Sequence, residues 1–458
     1  MTGAVLACLL SGVVSTPIEV RVDPRVELFT LVARLAEYDE YNMPSSRSAY
    51  SARAEKYFAP HRNHAAVKMA RKLRYDVGIG FDAVTTLAVH VKDAKMLEEL
   101  VPFSPLPKRV SARWTPATAR AFVASLRSFV KDTNFDRFMK SERAYFAQVV
   151  GPLSRLINDN GVASKIYDFY GFRPVKPPVA IVGLLCGGGN YGVSVEYGAG
   201  VFEMLPILGA SGFDSKGVPS FSESELPLVI HEFSHAFVNH LVDDYMVELS
   251  PRMRKYFPKL LQSFKAGAYG AEDAILYETF VRICVQYLMD SHFSKEVANQ
   301  NLIEDRQRGF LWVGDIVPEL HRYSENRARY KKLVHFFPEL VKKFVQVTQY
   351  PDALYRRCPE ILDIKTEWSD GGGDVELVKI SVRYSMPMDV KSRGMSFDPQ
   401  DIEVVEKTQF ADDGMSSILV VKVKKGKSYK LQLNAQGWGY VSQSGYPVLP
   451  QVVELKRG

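Results

Sequence analysis

The feature that most limits the fold is a change of hydrophobic period late in the chain. Up to about residue 350 apolar residues recur mostly at helical spacing, and from about residue 359 they alternate. Val378, Ile380, Val382 and Tyr384 alternate with Lys379, Ser381 and Arg383. Leu419, Val421 and Val423 do so with Val420, Lys422 and Lys424, and Tyr429, Leu431 and Leu433 with Lys430 and Gln432. Period two is that of a strand with one face buried. Turn residues at Gly371, Gly372 and Gly373, at Asp412, Asp413 and Gly414, and at Lys425 and Gly426 separate the runs. This predicts a C-terminal antiparallel β-sandwich, Ig-like, over residues 359–458. The basic residues Lys422, Lys424, Lys425, Lys427 and Lys430 fall on the same alternation, so they read as the wet face of strands.

Before that point the pattern is helical from Pro24 to about Arg173. Val26, Leu28, Leu31, Val32 and Leu35 mark one stripe, and 120–130 and 143–157 read the same way. The texture changes at Pro174. Residues 179–185 form a β-branched apolar run, Cys186 to Asn190 a glycine-rich turn, and 191–197 and 201–208 two more strands. Helices are predicted over 225–247, 271–289, 310–323 and 333–348. The expected class is α+β: a helical N-terminal region (16–173), a region carrying a small β-sheet (174–358), then the sandwich.

Composition closes off several alternatives. Of 458 residues, 46% are hydrophobic and 24% charged, enough for a sizeable core and unlike a disordered chain. Lys+Arg 58 against Asp+Glu 52 leaves +6, with no like-charge block long enough for a nucleic-acid arm. Four cysteines exclude a disulfide scaffold. No interior stretch reaches the roughly 20 apolar residues of a membrane span, so no transmembrane anchor is expected. At the start, an apolar run over 4–14 with Val13 and Ser15 before Thr16 fits a signal-peptide remnant (1–15) without its basic start. A secreted or periplasmic protein is then expected; the alternative is a buried first strand. Val5, Leu6, Ala7 and Cys8 resemble a lipoprotein box, but the apolar run continues past Cys8, which weakens a lipid anchor. Oligomeric state is not legible.

The chemistry lies in His231-Glu232-Phe233-Ser234-His235. Four residues apart on a helix share a face, so His231 and His235 can hold one metal ion. Imidazole suits Zn2+. Glu232 points about 100° away and can serve as general base towards a water on that ion. The apolar residues around the motif (Leu226, Val229, Ile230, Phe233, Ala236, Phe237 and Leu241) bury the helix, with Ser222 or Ser224 as its cap. Two satisfied core histidines are the plain alternative, but beside a glutamate in an apolar helix they are costly without a metal.

A catalytic zinc site needs a third protein ligand. A downstream Gly and His in the same helix are absent, since Val238 and Leu241 hold those places. His240 lies about 140° from His235 and reads as solvent-facing or supporting. Glu278 fits better, because it lies within the stripe Ala274, Tyr277, Val281, Val285 and Leu288. A plain helical salt bridge to Arg282 is the alternative; Arg282 also suits a place behind the ligand. Glu272 and Asp273 compete from the first helical turn, and Glu248 is an outsider.

His231, Glu232 and His235 followed by Glu278 resemble the gluzincin zinc metallopeptidases. The surroundings resemble a little-characterised secreted bacterial branch with a domain of unknown function. The residues that carry this are Tyr57 and Phe58, Asp82 and Ala83, Gly189 to Gly192, and Tyr277 to Arg282. The resemblance implies one zinc ion held by two histidines and Glu278, with Glu232 as base and proton shuttle. It departs from the thermolysin-like pattern at Arg282, where that pattern has Asp. It also implies an edge strand beside the zinc helix that pairs with substrate. Gly189, Asn190 and Tyr191 are the candidates, against a plain glycine-rich turn. For the oxyanion donor a peptidase needs, Tyr323 is favoured over His321 and Tyr330; a surface aromatic is its alternative. The expected function is zinc-dependent peptide-bond hydrolysis through a Zn-bound water activated by Glu232, with a peptide or protein as substrate and no nucleic acid. Two alternatives stand beside it: a non-catalytic zinc-containing binding protein, and a zinc hydrolase of a non-peptide ester or amide.

Overall fold

Local signals start the elements where they are found. In the computed structural model residues 17–43, 48–210, 212–256, 272–398, 402–434 and 439–455 are described. The expected leader (1–15), with Cys8, lies outside them. A short strand β1 (Glu19–Arg21) precedes α1 (Pro24–Leu35). Asp23 caps α1 by accepting the N–H of Arg25 at 3.0 Å, and Pro24 supplies the fixed φ of a first turn. Burial of α1 runs all round, from Arg25 to Leu35. Each fully buried large apolar side chain, such as Phe29 or Leu31, contributes about 1.5–3 kcal/mol. Further helices follow: α2 (Ala49–Phe58), α3 (Ala65–Val77), α4 (Asp82–Val89), α5 (Pro116–Thr133), α6 (Phe135–Ser141), α7 (Arg143–Asp159) and α8 (Val162–Tyr170).

Four strands come next: β2 (Val179–Gly183), β3 (Ser194–Gly198), β4 (Val201–Met204) and β5 (Ile207–Gly209). Parallel pairing gives the order β1-β2-β5, with Glu19 opposite Val179 and Ile181 opposite Ile207. β1 was not expected; three residues are too few to show a period. Antiparallel β3 and β4 form a hairpin. The strand read over 201–208 is two strands, because Pro206 has no N–H to carry the ladder through. Tyr191 and Ile207 exchange both main-chain hydrogen bonds at 2.9 Å, which joins the segment before β3 to β5.

The helix predicted over 225–247 divides into α9 (Leu226–Asp243) and α10 (Met246–Tyr256). Asp243 and Asp244 stand where the helix dipole disfavours acids, and a turn replaces the continuation. Contacts divide the chain into two units, 1–236 and 237–458, and α9 runs through the boundary. The second unit continues with α11 (Glu272–His292), α12 (Lys295–Gln307), α13 (Val313–Glu325), α14 (Leu333–Thr348) and α15 (Pro351–Tyr355). α11 packs against α10, α12 and α13.

The C-terminal strands are β6 (Ile361–Asp370), β7 (Val375–Tyr384), β8 (Met395–Asp398), β9 (Glu403–Phe410), β10 (Ser416–Lys424), β11 (Tyr429–Leu433) and β12 (Gln451–Leu455). They form two antiparallel sheets, β6-β7-β10-β9 and β12-β11-β8. Lettered in chain order this is ABED against GFC, the constant-type immunoglobulin arrangement. The predicted alternation fills the core: Val378, Ile380, Val421, Val423, Leu431 and Leu433 are buried. Tyr429, first residue of β11, accepts the N–H of Lys424 on its hydroxyl at 3.2 Å, closing the corner between the fifth and sixth strands. Within the same unit the sandwich is tied to the helices. Gln307 donates to the carbonyl of Gly439 (2.9 Å), Arg306 to that of Ser444 (3.0 Å), and Arg357 joins Asp315 to Tyr446. No helix among the described residues is long and apolar enough to cross a membrane.

Candidate metal centre

The approach to α9 is fixed by Ser222, whose N–H donates to the Glu225 carboxylate at 2.6 Å. Leu226, Val229, Ile230 and Phe233 are then buried, which sets the rotation of the helix. Nε2 of His231 and Nε2 of His235 lie 3.2 Å apart. Two nitrogens bound to one tetrahedral zinc at about 2.0–2.1 Å stand about 3.3 Å apart, so the pair has the spacing of two corners of that site. Donor atoms of His231, His235 and Glu278 all lie within 4.8 Å of one another, the cluster of this kind found among the described residues. His231 is 8% exposed, and His235 and Glu278 are half-buried. Glu232 is buried one residue on and stands outside the donor set.

Glu278 reaches this cluster on α11. The hydroxyl of Tyr277 donates to Asp243 at the end of α9, which brings the two helices together there. Arg282, one turn after Glu278, donates to its Oε2 at 2.7 Å. Glu278 thus stands beside the two histidines and also makes the salt bridge read from the sequence as its alternative. A further partner was not legible: Arg282 also pairs with Asp305 on α12, which is 1% exposed. Burial pushes the Asp305 carboxyl up from its ordinary value, and the guanidinium groups of Arg282 and Arg308 oppose that rise. The competing acids lie elsewhere. Asp273 is exposed and accepts the N–H of Ala274, and Glu248 and His240 are exposed. The side chain of Glu272 lies outside the described residues.

Several polar groups of Gly189, Asn190 and Tyr191, the residues expected to pair with substrate, are bonded within the chain. Gly189 donates its N–H to Cys186, Asn190 accepts the N–H of Gly209 on its side chain, and both main-chain groups of Tyr191 are taken by Ile207. The residue that meets α9 is Gly192. A Cβ there would sit 2.7 Å from Cβ of His235 and 2.8 Å from the carbonyl oxygen of Glu232. In an antiparallel pair the hydrogen-bonding direction alternates. Tyr191 turns both of its groups to Ile207 of β5, and Val193 accepts the N–H of Leu205 on its carbonyl while donating its own N–H back to Tyr191. Within β3, Ser194 and Glu196 therefore turn theirs to the side away from β4, where no strand pairs among the described residues.

Tyr323 is fully buried in α13; its hydroxyl accepts a hydrogen bond from Arg327 and its ring lies against Phe336. Burial raises its hydroxyl above the ordinary tyrosine value. His321 packs on Tyr287, and Tyr330 on Phe336. Glu27 on α1 is a residue the sequence did not single out. It is fully buried, accepts the N–H of Leu184 at 2.9 Å, and is pushed from 4.5 to about 8 by burial. It anchors the turn that leads from β2 to Gly192. Cys186, Cys284 and Cys358 are buried thiols.

A family model described as a domain of unknown function (DUF4932) covers residues 18–343, which include every residue of the cluster and the edge strand. No curated protein and no solved structure matches the chain.

Proposed function

The chain belongs to the DUF4932 family, and we propose that it is a zinc-dependent peptidase of gluzincin type. The observation that carries the proposal is the convergence of His231, His235 and Glu278 within 4.8 Å, with buried Glu232 beside them. Two imidazoles and a carboxylate are a donor set that suits zinc and leaves a fourth position for substrate or water. Zinc bound there supplies a Lewis acid that polarises a carbonyl and brings the pKa of a water to about 7.

The other steps belong to the chain. Glu232 takes the proton of the attacking water and returns it to the nitrogen of the leaving amine. Ser194 and Glu196 offer main-chain donors and acceptors to an extended peptide, which then lies antiparallel or parallel to β3 as an added strand. The close seat of Gly192 on His235 and Glu232 delivers such a strand to the helix that carries the base. An edge strand in that place favours a peptide over a small ester or amide. The Tyr323 hydroxyl would have to leave Arg327 before it could stabilise an oxyanion, so the oxyanion donor is not assigned to it. The apolar run over 4–14 makes a secreted or periplasmic setting part of the same reading.

Zinc content of the purified protein beside Glu278→Ala tests the site. Near one equivalent in the parent and a large loss in the variant is the expected result. A parent that stays empty after zinc is added back would reduce the helix to two ordinary histidines and overturn the proposal.

A further inference from the structure

Three observations converge behind Glu278. Its Oε2 is held by Arg282 at 2.7 Å. The same guanidinium pairs with Asp305 and lies over the ring of Phe310, 4.6 Å from its centroid. Asp305 itself sits in the last turn of α12, and that turn is gripped by the sandwich. Its neighbour Arg306 bonds Ser444 and lies over the ring of Tyr446, Gln307 bonds Gly439, and Gly445 stands so close that a Cβ would meet Ile303 at 2.8 Å.

We propose that Asp305 is a positioning residue for the metal site: acting through Arg282, it fixes the Glu278 carboxylate so that it serves as a one-oxygen ligand. The inference rests on the zinc site proposed above and goes beyond it. A carboxylate with two oxygens can bind zinc through one or both, and the choice sets how many positions remain for water and substrate. A charge-assisted bond to one oxygen selects the first mode and locks the side chain's rotamer. Arg282 can do this only if its own orientation is fixed. Asp305 supplies that on one side and the Phe310 ring on another. The immunoglobulin-like sandwich, by holding Arg306 and Gln307, keeps Asp305 in register. It thereby supports Glu278 from within the unit they share, a role separate from any ligand of its own.

The pair also carries a cost that a purely structural role explains poorly. A buried ion pair is on average no more stabilising than well-packed apolar residues of the same shape. Its use here is orientation.

The test compares parent, Asp305→Asn, Arg282→Lys, and the apolar pair Arg282→Leu with Asp305→Leu, which leaves no lone ion buried. Zinc affinity is read by competition with a chromophoric chelator. The visible spectrum of the cobalt-loaded protein reports coordination number, and the Tm of the metal-free protein reports folding. Expected for Asp305→Asn is a loss of about 10–100-fold in zinc affinity in protein that its metal-free Tm shows to be still folded, although that Tm falls because one partner of a buried ion pair is removed. Cobalt absorption should weaken as Glu278 goes to two-oxygen binding and coordination rises. Arg282→Lys, which keeps one donor to Glu278, should lose less than the apolar pair. Adding Asp305→Asn to Arg282→Leu should cost nothing more in affinity. A parent that binds zinc, with Asp305→Asn binding it as tightly and with the same cobalt spectrum, overturns the positioning role and leaves the site standing. A parent that binds neither metal overturns both.

Discussion

In the proposed function Glu232, which is 6% exposed and stands outside the His231, His235 and Glu278 donor set, is the base that acts on a water. Glu232→Gln keeps its size and removes its basicity. Peptide hydrolysis should fall by about 10²–10⁴ in kcat while bound zinc stays near one equivalent. Steady-state rates beside metal analysis check this, and a variant that still turns over would take Glu232 out of the role. At this scale the sequence was informative where the backbone alone sets geometry. His231 and His235 face one way on any helix, and Glu278 showed itself by lying inside an apolar stripe. Asp305 was not legible, because it stands in a run of charges, Glu304, Asp305, Arg306 and Arg308, that reads as a solvated helix end. Only packing shows that it is 1% exposed and aimed at Arg282.

At the scale of elements, the contact that matters most is the seat of the strand entering β3 on α9. Gly192→Ala places a methyl 2.7 Å from Cβ of His235, closer than carbon atoms pack, so strand or helix must move. Overpacking of this kind costs about 1–3 kcal/mol. Denaturant unfolding should show that loss, and zinc affinity should fall as His235 is displaced. Unchanged stability and metal binding would mean that the two elements slide apart freely and that Gly192 sets nothing. The strands themselves were readable from β-branched runs and flanking glycines. Which side of the 191–198 segment stays open was not, because a period of two assigns faces and says nothing about edges. At the positions expected to touch substrate, the N–H of Gly189, the side-chain oxygen of Asn190 and both main-chain groups of Tyr191 are bonded to Cys186, Gly209 and Ile207.

For the whole molecule, stability should carry the signature of one buried acid. The sandwich was foreseen from alternation down to its core residues. The sheet of the first unit was foreseen only in part, since β1 is three residues long and joins β2 from far away in sequence. Glu27 is what fastens that sheet's exit, through Leu184, to α1. Burial moves its carboxyl from 4.5 to about 8, so the folded protein holds a proton there that the unfolded chain releases. Stability rises with pH wherever the unfolded state binds more protons, and here the folded state binds more. Glu27 therefore contributes most below about pH 4.5, and that contribution is lost as pH rises through about 8. Glu27→Gln stays neutral throughout and keeps an acceptor for Leu184. The Tm of the parent relative to this variant should decline steadily between about pH 5 and pH 8 and level off above. A difference that is flat across that range would mean that Glu27 is ionised in the fold, with a counter-charge holding it, and that the turn leading to Gly192 is secured by charge rather than by a shared proton.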